Sequence, residues 1–171
     1  LNSSNRREWL KKTALASAAL GSSAALGFGA SRLRAAPVAG ANQQWNQSIR
    51  AGLDWLAQHQ SSRGQWSTPA YPVAMAALAG TALIGSGSTT TQGPYAKQIA
   101  RCTDYLISKC RNNGLIGDPD SDNRYTYGHG FSMLFLSQVL GDEEDEDRRA
   151  ELVDVLTRAV VFTGQAQTQA G

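Results

Sequence analysis

The stretch GLDWLAQHQSSRGQW, Gly52 to Trp66, decides the fold. Trp55, Leu56 and Gln58 sit in a helical pattern. Ser61-Ser62-Arg63-Gly64 breaks it, and Trp66 follows two residues past the glycine. Such a run carries weight when it recurs, because self-similarity at a period of tens of residues is the mark of a helical array. Displaced by 50 residues, Asp54-Trp55-Leu56 falls on Asp104-Tyr105-Leu106 and Gly64 on Gly114, without a gap. Displaced by 107, Trp55 falls on Phe162, Gln58 on Gln165, Gln60 on Gln167 and Gly64 on Gly171. The partner of Trp66 lies beyond Gly171, so the expectation is a fragment that stops inside its third unit.

Between these marked helices lie segments of another character. Tyr71–Gly85 and Tyr127–Gly141 are apolar on nearly all sides, as a buried helix should be. The marked helices are amphipathic: Ile99, Cys102, Leu106 and Cys110 share helical spacing, with Lys97, Arg101, Asp104 and Lys109 turned outward. The order amphipathic, buried, amphipathic, buried, amphipathic predicts an all-α array of αα-hairpins with an inner and an outer layer. The turn chemistry agrees. Gly64 and Gly114 suit a positive φ at the end of an outer helix, and Pro94 suits the entry to the next one. The acidic run Gly141–Asp147 reads as a solvated charged turn that also favours the dipole of the last helix.

Asn5-Arg6-Arg7-Glu8-Trp9-Leu10-Lys11, then an Ala/Gly/Ser/Leu-rich run to Ala30 and the small residues Ala39-Gly40-Ala41, resemble a twin-arginine export signal. The expected organisation is residues 1–41 as signal and 42–171 as the partial domain. The run is too polar for a membrane anchor, so no stable span is expected after cleavage. The expected destination is the periplasm or the cell exterior. Without residues 1–41, 10 Lys/Arg face 13 Asp/Glu, from 16 and 14 in the whole chain. A net charge of −3 gives no support to a nucleic-acid partner.

Cys102 and Cys110, if both lie on one helix, stand about 12 Å apart. That is too far for a disulfide, and free thiols are expected; a partner outside this chain, or a helix ending before Cys110, is the alternative.

The run Gly52–Gln60 followed by Gly64-Gln65-Trp66 resembles the QW repeat of squalene–hopene cyclases, shared by the wider prenyltransferase/terpenoid-cyclase α/α-toroid superfamily. The resemblance covers about residues 42–171. The second unit departs from the pattern, with Ser108 in place of the Gln and Ile116 in place of the final Trp. The resemblance implies an α/α toroid of about six hairpins, of which two and a half are present. It implies structural roles for Trp55, Gln58, Gln60, Gly64, Trp66, Tyr105 and Gly114, with Gln58 or Gln60 and Trp66 fastening neighbouring hairpins. It implies a cavity for an apolar, isoprenoid-like ligand.

The catalytic residues are unknown, and whether the protein is an enzyme stays open. The Asp-x-Asp-Asp of protonating cyclases would fall on Pro69-Ala70-Tyr71-Pro72 or on Tyr127-Gly128-His129-Gly130, where no carboxylate stands. His129, with Tyr127 and Tyr125, is the candidate for the cavity rim. Three roles are open to its ring: a catalytic group or metal ligand, a ligand contact, or a hydrogen bond to a helix end. The zinc triad of prenyl transferases has no counterpart, so neither metal nor cofactor is expected. Asp118, Asp120 and Asp122 match the start of a calcium loop, but His129 occupies the position that needs a bidentate Glu. The alternatives to a terpenoid-cyclase-like protein are a non-catalytic binding or interaction protein on the same scaffold and a polysaccharide-active toroid lyase.

Overall fold

Outer and inner helices alternate along the chain. The structure, a computed structural model, describes residues 41–68, 70–120, 122 and 124–168. They form α1 (Ala41–His59), α2 (Pro72–Ile84), α3 (Ala96–Ser108), α4 (Tyr125–Asp142) and α5 (Glu146–Ala166). Among the described residues there is no strand beyond two isolated bridges, and the fold is all-α. The export-signal reading of residues 1–41 lies outside the described residues except for Ala41, which opens α1.

The two apolar helices, α2 and α4, pack against each other; α3 packs on α2, and α5 on α4. Small residues set the α2–α4 approach. A Cβ on Gly128 would stand 3.1 Å from the Val73 side chain, and one on Gly80 would stand 2.5 Å from the Phe135 ring. Val73 and Gly80 thus face Gly128 and Phe135 in the same order, and the helices run parallel. The core gathers Leu83, Ile99, Leu106, Ile116, Phe135, Leu136 and Leu152, all fully buried. Each contributes about 1.5–3 kcal/mol through the apolar surface it removes from water.

The turn after α1 recurs after α3. Gln60 bridges Trp66, and Cys110 bridges Ile116. Ser61 N–H donates to Gln65 O at 2.9 Å and Gly64 N–H to Ser61 O at 3.0 Å; Arg111 N–H donates to Leu115 O at 2.8 Å and Gly114 N–H to Arg111 O at 2.9 Å. Gly64 has φ 88° and Gly114 φ 89°. Each presses on the backbone of the following outer helix. A Cβ on Gly64 would lie 2.0 Å from the Arg101 carbonyl oxygen, and one on Gly114 would lie 2.2 Å from that of Arg158. Glycine is required here twice over, for its conformation and for its missing side chain.

The fastening is made by Gln60 rather than Gln58. Gln60 Nε2 donates to Gly64 O at 3.1 Å and, across to α3, to Gln98 O at 2.8 Å. Trp66, 6% exposed, donates from Nε1 to Leu56 O at 2.8 Å, satisfying a carbonyl at the end of α1. Gln58 is exposed. Trp55 is 56% exposed and stacks on His59, whereas its repeat partner Tyr105 is 7% exposed. In the second unit Arg158 supplies the tie, donating to Arg111 O at 3.0 Å.

Two expectations change. Glu143 is not part of a solvated turn. It is buried, accepts the N–H groups of Glu144 and Asp145 at 3.1 and 3.2 Å, and receives the Thr90 hydroxyl at 3.2 Å. α3 ends at Ser108, before Cys110, so the two cysteines do not share a helix. Both thiols are free.

Gly64→Ala is expected to cost about 2–4 kcal/mol of stability, from left-handed strain and from the clash with Arg101. Gly52, on an open face of α1 with nothing within 4 Å of an added Cβ, is the control. Gly52→Ala should be neutral or stabilise by up to about 1 kcal/mol. Denaturant unfolding of the two variants checks both.

Candidate functional site

The N-terminal ends of α2 and α4 lie side by side, and an aromatic pair marks them. Tyr71 caps α2 and Tyr127 lies in the first turn of α4; their rings meet edge to face at 6.3 Å. Tyr71 is the sole non-glycine residue with positive φ among the described residues, at φ 56°. The following Pro72 disfavours helical conformations at this position, and left-handed backbone costs a further ~1–2 kcal/mol. The pair is held despite that cost. Sequence reasoning passed over Tyr71; an aromatic residue directly before the proline that opens an apolar helix was the available signal.

Below this pair runs an apolar surface. α5 touches α4 through His129 and Met133, both contacted by Thr163. Tyr127, Phe131 and Leu134 follow one another at helical spacing on the opposite face of α4. α3 touches α2 at Ala76, whose carbonyl accepts the Cys102 thiol, and at Gly80. Leu78 lies on the far side of α2 from that contact. Tyr127 is 54%, Leu134 49%, Met75 45% and Leu78 42% exposed. The two inner helices thus turn one side to α3 and α5, while Met75 and Leu78 of α2 and Tyr127 and Leu134 of α4 stand exposed among the described residues.

His129 belongs to the covered side. It is 7% exposed. Its Nδ1 accepts the Ile116 N–H at 3.1 Å, which places the ring proton on Nε2. Nε2 in turn lies 3.0 Å from the Thr163 hydroxyl of α5, and Phe162 meets the ring edge-on. Thr163 passes a hydrogen bond on to Ala159 O at 2.9 Å. Both ring nitrogens are thus committed to joining the second turn, α4 and α5. Tyr125 is half-buried, with its Cβ beside Gly117 of the same turn. Of the three rim candidates, Tyr127 alone stands open on the apolar face.

The other polar groups serve the scaffold. Asp118 pairs with Lys109 at 2.6 Å and Asp120 with Arg111 at 3.2 Å, while Asp122 accepts the Arg124 N–H at 2.8 Å. The acids of the calcium-like loop are thereby spread over separate partners. Among the described residues no group of three His, Cys, Asp or Glu could hold a metal. Burial pushes the Cys102 thiol well above its ordinary pKa and that of Cys110 up as well, so neither is a thiolate near neutral pH. Burial likewise pushes the Tyr105 hydroxyl up to about 12.

No protein-family model matches the chain, and no curated protein and no solved structure matches it either. Among the described residues no helix is long and apolar enough to cross a membrane.

Burial lowers the pKa of His129 below its ordinary 6.5. The unfolded chain then takes up this proton before the folded one, and stability rises with pH. The His129 contribution is complete above about pH 6.5 and is lost as pH falls below it. Protonation would also set a second donor against the Ile116 N–H. Melting curves at pH 7.5 and 5.5 should therefore show a larger acid loss in the wild type than in His129→Gln. Equal losses in the two proteins would remove this account.

Proposed function

We propose that the helices are part of a closed α/α toroid whose inner wall binds an apolar, isoprenoid-like ligand, and that the protein is exported. The observation that carries the ligand reading is the exposed apolar surface of α2 and α4 among the described residues, with Leu78, Tyr127 and Leu134 each about half exposed. A helix that is apolar all round needs cover on every side, and a ligand chain supplies it where no helix does. The resemblance to the QW repeat supports the ring closure. The recurring glycine turns support it too, since each sets its hairpin on the next in the same way.

Binding fits this wall better than cyclisation. No carboxylate lies between Met75 and Ile84 or between Tyr125 and Gly141. A group able to protonate an alkene would have to be an acid held in a supporting environment, and His129 is neutral with both nitrogens engaged. What the wall offers is hydrophobic contact, about 0.8 kcal/mol for each methylene covered, with the Tyr127 hydroxyl at its mouth.

Farnesol is a suitable probe for titration against the full chain. Leu134→Asp is expected to weaken its binding at least about tenfold, by about 1.4 kcal/mol or more, with the helical circular-dichroism signal unchanged. The reading fails if farnesol does not bind the wild type, or binds the variant equally well.

Export rests on the Arg6-Arg7 motif. Conversion of both arginines to lysine should stop twin-arginine-dependent transport of a folded reporter fused behind the leader. A reporter exported as before would count against it.

A further inference from the structure

Tyr71 holds a left-handed backbone with little to fix it there. Its φ is 56° and its ψ 48°, at the N-cap of α2, and no side-chain hydrogen bond caps the helix. An N-cap residue ordinarily has extended backbone, with its carbonyl accepting the first helical bond. Tyr71 O accepts the Met75 N–H at 2.9 Å in this way. The ring of Pro72 fixes the φ that orients this carbonyl against the helix. Tyr71 can therefore pass from left-handed to extended backbone without losing the bond. The array does not require the left-handed form either. At the equivalent entry to α4 the N-cap, Arg124, has φ −120° and ψ 45°. Upstream, Ser67 and Ala70 are exposed, and the hydrogen bonds of the Thr68 hydroxyl stay inside the segment, to Ala70. What opposes a return to extended backbone is the ring contact with Tyr127, edge to face at 6.3 Å. An edge-to-face pair gains about as much as left-handed backbone costs.

We infer that Tyr71 is a two-position latch at the N-terminal end of the α2–α4 surface. In the closed position its ring pairs with Tyr127 on left-handed backbone. In the open position the backbone is extended, the ring has swung away, and Tyr127 is left free on α4. With gain and cost nearly balanced, both positions are populated. A ligand that takes the Tyr127 ring as its own contact shifts the latch to open. α2 does not move with the latch, because its first bond survives the swing. As a gate on ligand entry the latch rests on the ligand reading; the swing of Tyr71 does not.

Carbon-13 NMR of the full chain, labelled at tyrosine Cα, reads the backbone of Tyr71 directly. Tyr127→Ala is expected to shift the Tyr71 Cα resonance from the left-handed toward the extended range, with helical circular dichroism kept. Tyr127→Phe keeps the ring pair and is expected to leave the resonance in place. Tyr127→Leu removes the aromatic contact but keeps more bulk, should the alanine variant lose its fold. A Tyr71 resonance that stays in the left-handed range in both the alanine and the leucine variant overturns the latch. Farnesol tests the gate. Its association rate is expected to level off with concentration in the wild type, where opening comes first. In Tyr71→Gly, which accepts left-handed backbone and has no ring to move, the rate is expected to rise linearly. A linear rise in the wild type overturns the gate. Failure of farnesol to bind overturns the ligand reading, and the gate with it, while the Tyr71 resonance still decides the latch.

Discussion

The seating of a glycine turn on the backbone of the next outer helix is the constraint on which the other contacts depend. At Gly64 the Arg101 carbonyl comes so close that a Cβ would overlap it. With the turn held there, Gln60 reaches Gln98 and the Trp66 indole closes over the end of α1. A side chain on the turn would push the turn away from α3 and break the Gln60–Gln98 bond. The same approach at Gly114 and Arg158 gives the next step of the array the same spacing. The remaining ties differ from unit to unit. Arg158 replaces Gln60, and the Ile116 N–H is taken by His129 rather than by solvent.

Between the hairpins the inner layer is kept neutral. Several polar atoms that enter it are satisfied locally: the Cys102 thiol donates to Ala76 O, and the Thr103 and Thr81 hydroxyls donate to the carbonyls of Ile99 and Ala77; the fully buried Ser132 hydroxyl of α4 has no hydrogen-bond partner among the described residues. An unpaired charge there would cost far more than these weak bonds return. On the proposed ligand reading, the exposed face of α2 and α4 would select by shape and apolar area, since no charged side chain lies between Met75 and Ile84 or between Tyr125 and Gly141.

Charge is placed instead where outer helices meet. Asp54 of α1 accepts the Tyr95 hydroxyl at 2.7 Å, and its repeat partner Asp104 accepts from Arg148 of α5. The Asp-aromatic-Leu stretch thus supplies one acceptor per unit for the first turns of the next outer helix. Glu143 extends this network inward. It is buried beside Arg148, at 3.6 Å from Nε, a distance of charge attraction without a hydrogen bond. A buried carboxylate is tolerable because four groups share its desolvation: two backbone N–H donors, one hydroxyl and the guanidinium.

Much of the scaffold was legible in the sequence, because helical period and turn chemistry are local. The alternation of amphipathic and apolar helices, the glycine turns at Gly64 and Gly114, and the recurrence at 50 residues all follow from neighbours within a few positions. The periodicity does not say which face of a helix has a neighbour, and that choice is tertiary. Gln58 and Gln60 were equal candidates until α3 was in place; Gln60 then lay within reach of Gln98. Trp55 and Tyr105 hold the same place in the repeat, yet Tyr105 is enclosed and Trp55 stands open, because burial depends on what flanks each unit. His129 heads an apolar helix in the sequence, which suits a ligand contact as well as a strut. Its orientation was settled by two groups distant in the chain, the Ile116 amide and the Thr163 hydroxyl, which take both ring nitrogens. Sequence fixes which residues can share a face; only packing decides what that face meets.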